Sequence, residues 1–134
     1  MSDEPDWEAL RRRARAMTER SYAPYSGVRV GAAAVCADGS VVTGCNVENA
    51  STGIGVCAEV TLAASMVAGG GGRLVAMAVL AGDGEPISPC GRCRQFLYEF
   101  GGDELLIDTP GGIVTLGELL PQAFGPADIE GRAG

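Results

Sequence analysis

The amino-acid sequence predicts an α/β protein folded as a three-layer sandwich, with helices on both faces of a sheet. Segments with helical spacing alternate with short β-branched apolar runs along the chain. Residues 73–81 are almost wholly apolar, as a strand covered on both faces must be. Two apolar segments run into glycine stops, Gly69-Gly-Gly-Gly72 and Gly101-Gly102, which is how helices end. The 134 residues fit one domain, 1–134, with one core.

Asp6 can cap a helix that opens at Trp7, where Trp7, Leu10, Ala14 and Met17 recur at helical spacing until Tyr22-Ala-Pro-Tyr ends the segment. Residues 28–37 read as a strand. Ala37-Asp-Gly-Ser40 is a turn and residues 41–47 return as a second strand, so the pair forms a hairpin. Residues 57–67 are apolar and Ala-rich and read as a helix. Residues 73–81 form the next strand, 90–100 a helix and 104–108 a short strand. Residues 116–120 form a helical turn before a Pro/Gly-rich tail.

Composition removes several chemistries. The net charge is −7, against the basic face that gripping nucleic acid needs; Arg11, Arg12, Arg13 and Arg15 read as one solvated helix face. The chain has no His and no Lys, all ten basic residues being Arg. That excludes a Ser-His-Asp triad, a Cys-His pair, a Schiff base and a P-loop lysine. Proton transfer in an enzyme of this composition falls to a carboxylate. No run approaches the ~18 apolar residues of a membrane span, and the start lacks a signal peptide's basic and apolar regions. The five cysteines are Cys36, Cys45, Cys57, Cys90 and Cys93, an odd number that argues against a disulfide framework. Together these point to the cytoplasm.

The chemistry concentrates at two helix starts. Cys57-Ala-Glu59 opens one and Pro89-Cys-Gly-Arg-Cys93 opens the other. A C-x-x-C pair in a first turn puts two sulfurs on one side, where the helix dipole favours thiolates. Cys57 can supply a third. Three protein ligands leave the fourth position of zinc open for water, the catalytic arrangement, and Glu59 can stand beside that water without binding the metal. Cys36 and Cys45, in predicted strands, read as small buried hydrophobes.

These residues resemble the cytidine deaminase family, the short type with a three-cysteine zinc site. The resemblance spans nearly the whole chain and includes Tyr22-Ala-Pro-Tyr-Ser, Val30-Gly-Ala-Ala, Gly44-Cys-Asn-Val-Glu-Asn-Ala50 and Leu119-Leu-Pro-Gln-Ala-Phe-Gly-Pro126. It implies a mixed five-stranded sheet and one Zn2+ per chain on Cys57, Cys90 and Cys93, with Glu59 shuttling protons. It further implies Asn46 and Glu48 on the ribose hydroxyls, backbone near Ala58 and Ser88 on the pyrimidine edge, and Phe124 closing over the base. The implied activity is hydrolytic deamination of cytidine or deoxycytidine in pyrimidine salvage, by a homotetramer that shares active sites and uses a free nucleoside, with no nucleic acid or membrane partner.

Four positions depart from the family pattern. Val28 stands where members usually carry a Phe packed near the base, and Thr52 where many carry Tyr. Val60 replaces an Arg after Cys-Ala-Glu, and Arg92 replaces an Ala. Arg92 is then the residue expected to donate to the thiolates and offset their excess charge. Cys-Ala-Glu without a following Arg is also similar to blasticidin S deaminases, which keeps a cytosine-containing nucleoside antibiotic as the alternative substrate. Outside enzymes, the alternative is a structural zinc or thiol-redox module.

Overall fold

A computed structural model describes residues 4–132. Helix α1, Trp7–Thr18, is capped by Asp6, whose carboxylate accepts from the Ala9 N–H at 3.0 Å. Leu10, Ala14 and Thr18, at successive i+4 steps, are its buried stripe. Strands β1, Val30–Cys36, and β2, Val41–Cys45, form the antiparallel hairpin. Helix α2, Ala58–Ala68, leads to β3, Leu74–Ala81, antiparallel to β1. Helix α3, Gly91–Gly101, crosses over to β4, Leu106–Thr109, parallel to β3, because parallel neighbours need a crossover connection. A fifth strand, β5, Gly112–Thr115, turns back antiparallel to β4, and helical turns α4, Leu116–Leu119, and α5, Pro126–Ile129, follow. The sheet order is β2-β1-β3-β4-β5, a mixed five-stranded sheet.

Alternation along the central strands builds two cores. Ala32, Ala34, Met77, Val79 and Ile107 face α2 and α3 with Leu62, Met66 and Leu97. Ala33, Ala76, Ala78 and Leu80 face the opposite way, against Leu10 and Ala14 of α1. The predicted three layers are therefore present, one helix on one face and two on the other. Arg11, read as part of a solvated face, instead donates from Nε to the buried Asp108 at 2.7 Å and ties α1 to the end of β4.

Three details differ from the sequence reading. Residues 112–115 form a strand that the sequence does not predict: four residues behind a Pro-Gly-Gly turn carry too little pattern, and their order comes from pairing with β4. The tail also holds a helical turn at Pro126–Ile129. The hairpin ladder ends at Gly31 and Cys45, short of residues 28 and 47. Beyond it the Asn46 side chain takes over the pairing, accepting from the Val30 N–H at 2.9 Å and donating to the Val28 carbonyl at 2.8 Å.

Small residues set how closely the layers approach. A Cβ on Gly31 would run into the Ala14 carbonyl of α1. A Cβ on Gly44 would stand 2.5 Å from both the Ala58 carbonyl and the Leu62 N–H, in the first turns of α2. Main-chain atoms cannot move aside as a flexible side chain does, so Gly44→Ala must lift α2 off β2. Gly44→Ala is expected to lower the unfolding free energy by about 1–3 kcal/mol in urea titration. Gly72→Ala, where an added Cβ meets nothing within 4 Å, is the control and stays within about 0.5 kcal/mol.

Candidate functional site

Cys57 is the N-cap of α2 and Cys90 the N-cap of α3, and neither side chain caps its own helix. Pro89, fully buried, fixes the approach to α3, and an antiparallel bridge between Val47 and Val56 fixes the approach to α2. The two helices pack on the same face of the sheet and against each other, so their first turns converge. Cys93, in the first turn of α3, returns beside Cys90. The three Sγ atoms lie within 4.8 Å of one another, the one such donor cluster among the described residues. Cys36 and Cys45 lie in β1 and β2, outside it.

The thiols do not ionise easily by themselves. Burial pushes Cys57 and Cys93 up, and for Cys93 the charge of Glu59 adds to it. Burial also works against ionising Cys90, but hydrogen bonds from the Cys93 backbone and thiol and from Cys57 outweigh it and leave Cys90 below the ordinary thiol range. Three soft donors, two of which resist ionisation until a cation balances them, fit a thiophilic divalent metal. The cluster holds no fourth protein donor among the described residues, so a tetrahedral metal held by these three cysteines would have a position for water.

Glu59, in the first turn of α2, is only 4% exposed. Burial holds its carboxyl above the usual carboxylate range, the Cys93 thiol pulling it back in part. It belongs to the wall of a cavity of about 440 Å³, with Cys57, Ala58 and Cys90, and Asn46 and Glu48 line the same cavity. Glu48 Oε1 accepts from the Tyr25 N–H at 2.9 Å and the Ser26 N–H at 3.1 Å, and its other oxygen accepts from the Ser26 hydroxyl. The Ser26 hydroxyl is the main reason its carboxyl sits below the usual range, so Glu48 is ionised and accepts only.

Of the remaining residues singled out from sequence, Ser88 and Thr52 line the cavity. Val28 does not: it is 53% exposed, its backbone held by Ser26 and Asn46 and its side chain turned to solvent. Phe124 does not line it either. It borders a separate groove with Gln95 and Ile129, and its carbonyl accepts from the Gln95 amide at 2.8 Å. The expectation for Arg92 is corrected. Arg92 is exposed and makes no hydrogen bond or ion pair among the described residues. Cys90 and Cys93, at i and i+3, share the inward side of the first turn, and that turns Arg92 outward.

The arginine that serves this region is Arg94. Its Nε donates to the Pro89 carbonyl at 2.9 Å, one terminal nitrogen to the Leu119 carbonyl at 3.0 Å and the other to Ser88 Oγ at 3.2 Å. It braces the segment that delivers Ser88 and Cys90, and its signal in the sequence was its place directly after Cys93.

Comparison with known proteins agrees with this geometry. Residues 5–109 match the family model for the cytidine and deoxycytidylate deaminase zinc-binding region. A cytidine deaminase of Mycobacterium tuberculosis is 52% identical over 124 residues, 92% of this chain and 93% of that protein. One from Halalkalibacterium halodurans is 41% identical, over 83% of this chain and 88% of its own length. The crystal structure of the M. tuberculosis cytidine deaminase aligns with a TM-score of 0.88 at 52% identity, covering 91% of this chain and 99% of that one. A Burkholderia pseudomallei cytidine deaminase aligns at 0.79 and 43% identity, covering 92% and 100%. Elemental analysis of the purified chain is expected to find one zinc per chain, and Cys93→Ala to lose most of it after dialysis against a mild chelator.

Proposed function

Since this chain belongs to the zinc-binding cytidine and deoxycytidylate deaminase family, we propose that it hydrolyses cytidine and deoxycytidine at C4, giving uridine or deoxyuridine and ammonia. One observation carries the reading. Cys57, Cys90 and the buried Glu59 carboxyl share a single cavity with Asn46 and Glu48, and the Cys93 thiol lies behind its wall, within 4.8 Å of the other two. The matched relatives are cytidine deaminases, which leaves the antibiotic substrate, the structural zinc module and the redox pair without support.

Cys57, Cys90 and Cys93 hold the zinc, which when bound supplies a Lewis acid that makes water nucleophilic at neutral pH. Glu59 moves the protons. It stands beside the thiol cluster without belonging to it, and the chain has no His or Lys to take its place. Its carboxylate removes a proton from the attacking water and delivers it to the ring nitrogen. It then passes the remaining hydroxyl proton to the amine, so that oxygen stays on C4 as a carbonyl and nitrogen leaves as ammonia. Backbone groups at Ala58 and Ser88, both on the cavity wall, meet the pyrimidine edge.

The donor and acceptor inventory of Asn46 and Glu48 supports a sugar hydroxyl as their ligand. Asn46 Oδ1 accepts twice, from Ser21 and Val30, and one N–H is spent on Val28. One N–H remains. Glu48 accepts three hydrogen bonds and, ionised, retains an open lone pair. One donor beside one acceptor is the complement of a hydroxyl, which takes one hydrogen bond and gives one.

The wider reading is a single catalytic domain acting on a free nucleoside in pyrimidine salvage, in the cytoplasm. The charge of −7 disfavours nucleic acid, the five free cysteines suit a reducing compartment, and no helix among the described residues is long and apolar enough to cross a membrane. We read the assembly as a homotetramer. Tyr22, Tyr25 and Ile54 are each more than half exposed, and Phe124, 59% exposed, is turned away from its own cavity, as a residue that serves a neighbour's cavity would be.

Purified protein incubated with cytidine, deoxycytidine, cytosine, CMP, adenosine and blasticidin S is expected to release ammonia from the first two above all others. Ammonia from blasticidin S alone would overturn the reading. Glu59→Gln is expected to retain zinc and lose turnover by about 10³–10⁴-fold; residual activity above a tenth of wild type would assign the proton transfers elsewhere. Multi-angle light scattering is expected to give four times the chain mass of 13.7 kDa, and an active monomer would refute the shared site.

A further inference from the structure

Ser21 follows the last turn of α1, with its N–H bonded to the Thr18 carbonyl at 3.3 Å. It is buried, 8% exposed, and does not line the cavity. Its hydroxyl donates to Asn46 Oδ1 at 2.5 Å. The Val30 N–H donates to the same oxygen at 2.9 Å, and Asn46 Nδ2 donates to the Val28 carbonyl at 2.8 Å. The main chain fixes Ser21 in this place. The Tyr22 N–H bonds the Asn46 carbonyl at 3.1 Å and the Glu48 N–H bonds the Tyr22 carbonyl at 2.8 Å.

We propose that Ser21 is a positioning residue that acts on substrate through Asn46, by filling the second lone pair of its amide oxygen and leaving the side chain a pure donor toward the sugar. The proposal rests on the cytidine reading above. Val30 and Val28 already decide which end of the amide is oxygen. They leave one lone pair of that oxygen open, and a water or the sugar hydroxyl could donate to it. With Ser21 in place the carbonyl carries its full complement of two hydrogen bonds, and the only group Asn46 can offer is its remaining N–H. Hydrogen bonding at the oxygen also polarises the amide and strengthens that N–H as a donor. The hydroxyl then has one way to bind, accepting from Asn46 and donating to Glu48. Because Ser21 lines no part of the cavity, its influence on a nucleoside must pass through Asn46, and so must vanish when the nucleoside has no hydroxyl there.

The test measures zinc-loaded wild type, Ser21→Ala and Ser21→Thr. The readouts are kcat and KM for cytidine and the inhibition constant of 2′,3′-dideoxycytidine competing against it. Ser21→Ala is expected to raise KM for cytidine about threefold to tenfold, the loss of one neutral hydrogen bond, with kcat within about twofold of wild type. The inhibition constant of the dideoxynucleoside is expected to stay unchanged, and Ser21→Thr, which keeps the hydroxyl, to return KM toward wild type. Equal weakening of both nucleosides, a change confined to kcat, or no change at all would overturn the proposal while leaving the cytidine reading intact. A zinc-loaded wild type that turns over no cytidine would overturn both. Should Ser21→Ala not fold, an unchanged ratio of the two constants in Ser21→Gly would overturn the proposal, and a rise confined to cytidine would sustain it.

Discussion

The α-carbon of Gly44 lies against the first turns of α2, and that approach sets the distance between helix and sheet on which the site depends. Ala58 and Leu62 present main-chain atoms where a side chain at Gly44 would stand. Thr61 completes the attachment, its single hydroxyl proton directed between the Cys45 carbonyl at 2.7 Å and the Ala58 carbonyl of its own helix at 2.9 Å. Cys57 and Glu59 belong to the same first turn. A helix lifted from β2 would carry both away from Cys90 and Cys93, which arrive from the separately anchored α3. The placement of the site thus rests on a glycine in the edge strand β2, outside the chemistry itself.

The electrostatics of the site follow from two helix N-termini meeting under a buried carboxyl. The N-termini offer unsatisfied N–H groups and the positive ends of their dipoles, which favour anions. Burial and mutual repulsion oppose them, and these dominate at Cys57, Cys93 and Glu59. A divalent cation resolves the conflict, since it neutralises the thiolates that the helix ends alone cannot sustain. With Val60 in place of a second basic residue and Arg92 directed to solvent, charge balance falls to the metal and the helix ends. Arg94 contributes as a brace, holding the Ser88-Pro89 segment by its hydrogen bonds to main chain and hydroxyl.

Opposite the thiols, polarity is decided by saturation. Residues 21–28 form a strap whose donors go to Asn46 and Glu48: Ser21 to the amide, and Tyr25 and Ser26 to the carboxylate. Each bond removes a way in which those side chains could meet a ligand, and what is left is one donor and one acceptor. The Asn46 side chain replaces the ladder where the hairpin ends, so the asparagine that terminates the strand pairing is also the one proposed to meet the sugar.

The sequence alone determined the α/β class, the predicted helices and the hairpin, because hydrophobic period and glycine stops are local signals. The Cys90-x-x-Cys93 pair was legible as well, since spacing at a helix start is fixed by helix geometry, whereas the meeting of Cys57 and Glu59 with that pair depends on α2 packing against α3. The short strand β5 was invisible because its order comes from pairing with β4, not from its own four residues. The resemblance named Asn46 and Glu48 but was silent on the strap that orients them, for Ser21 and Asn46 are 25 residues apart and meet only when α1 packs on β1. The charge argument from the sequence singled out Arg92 and did not consider Arg94. Two arginines two positions apart on one helix look alike in sequence, and only the fold decides which faces the protein: the inward pair Cys90 and Cys93 consumes one side of the first turn, and the next residue but one comes round to the carbonyls that need a donor.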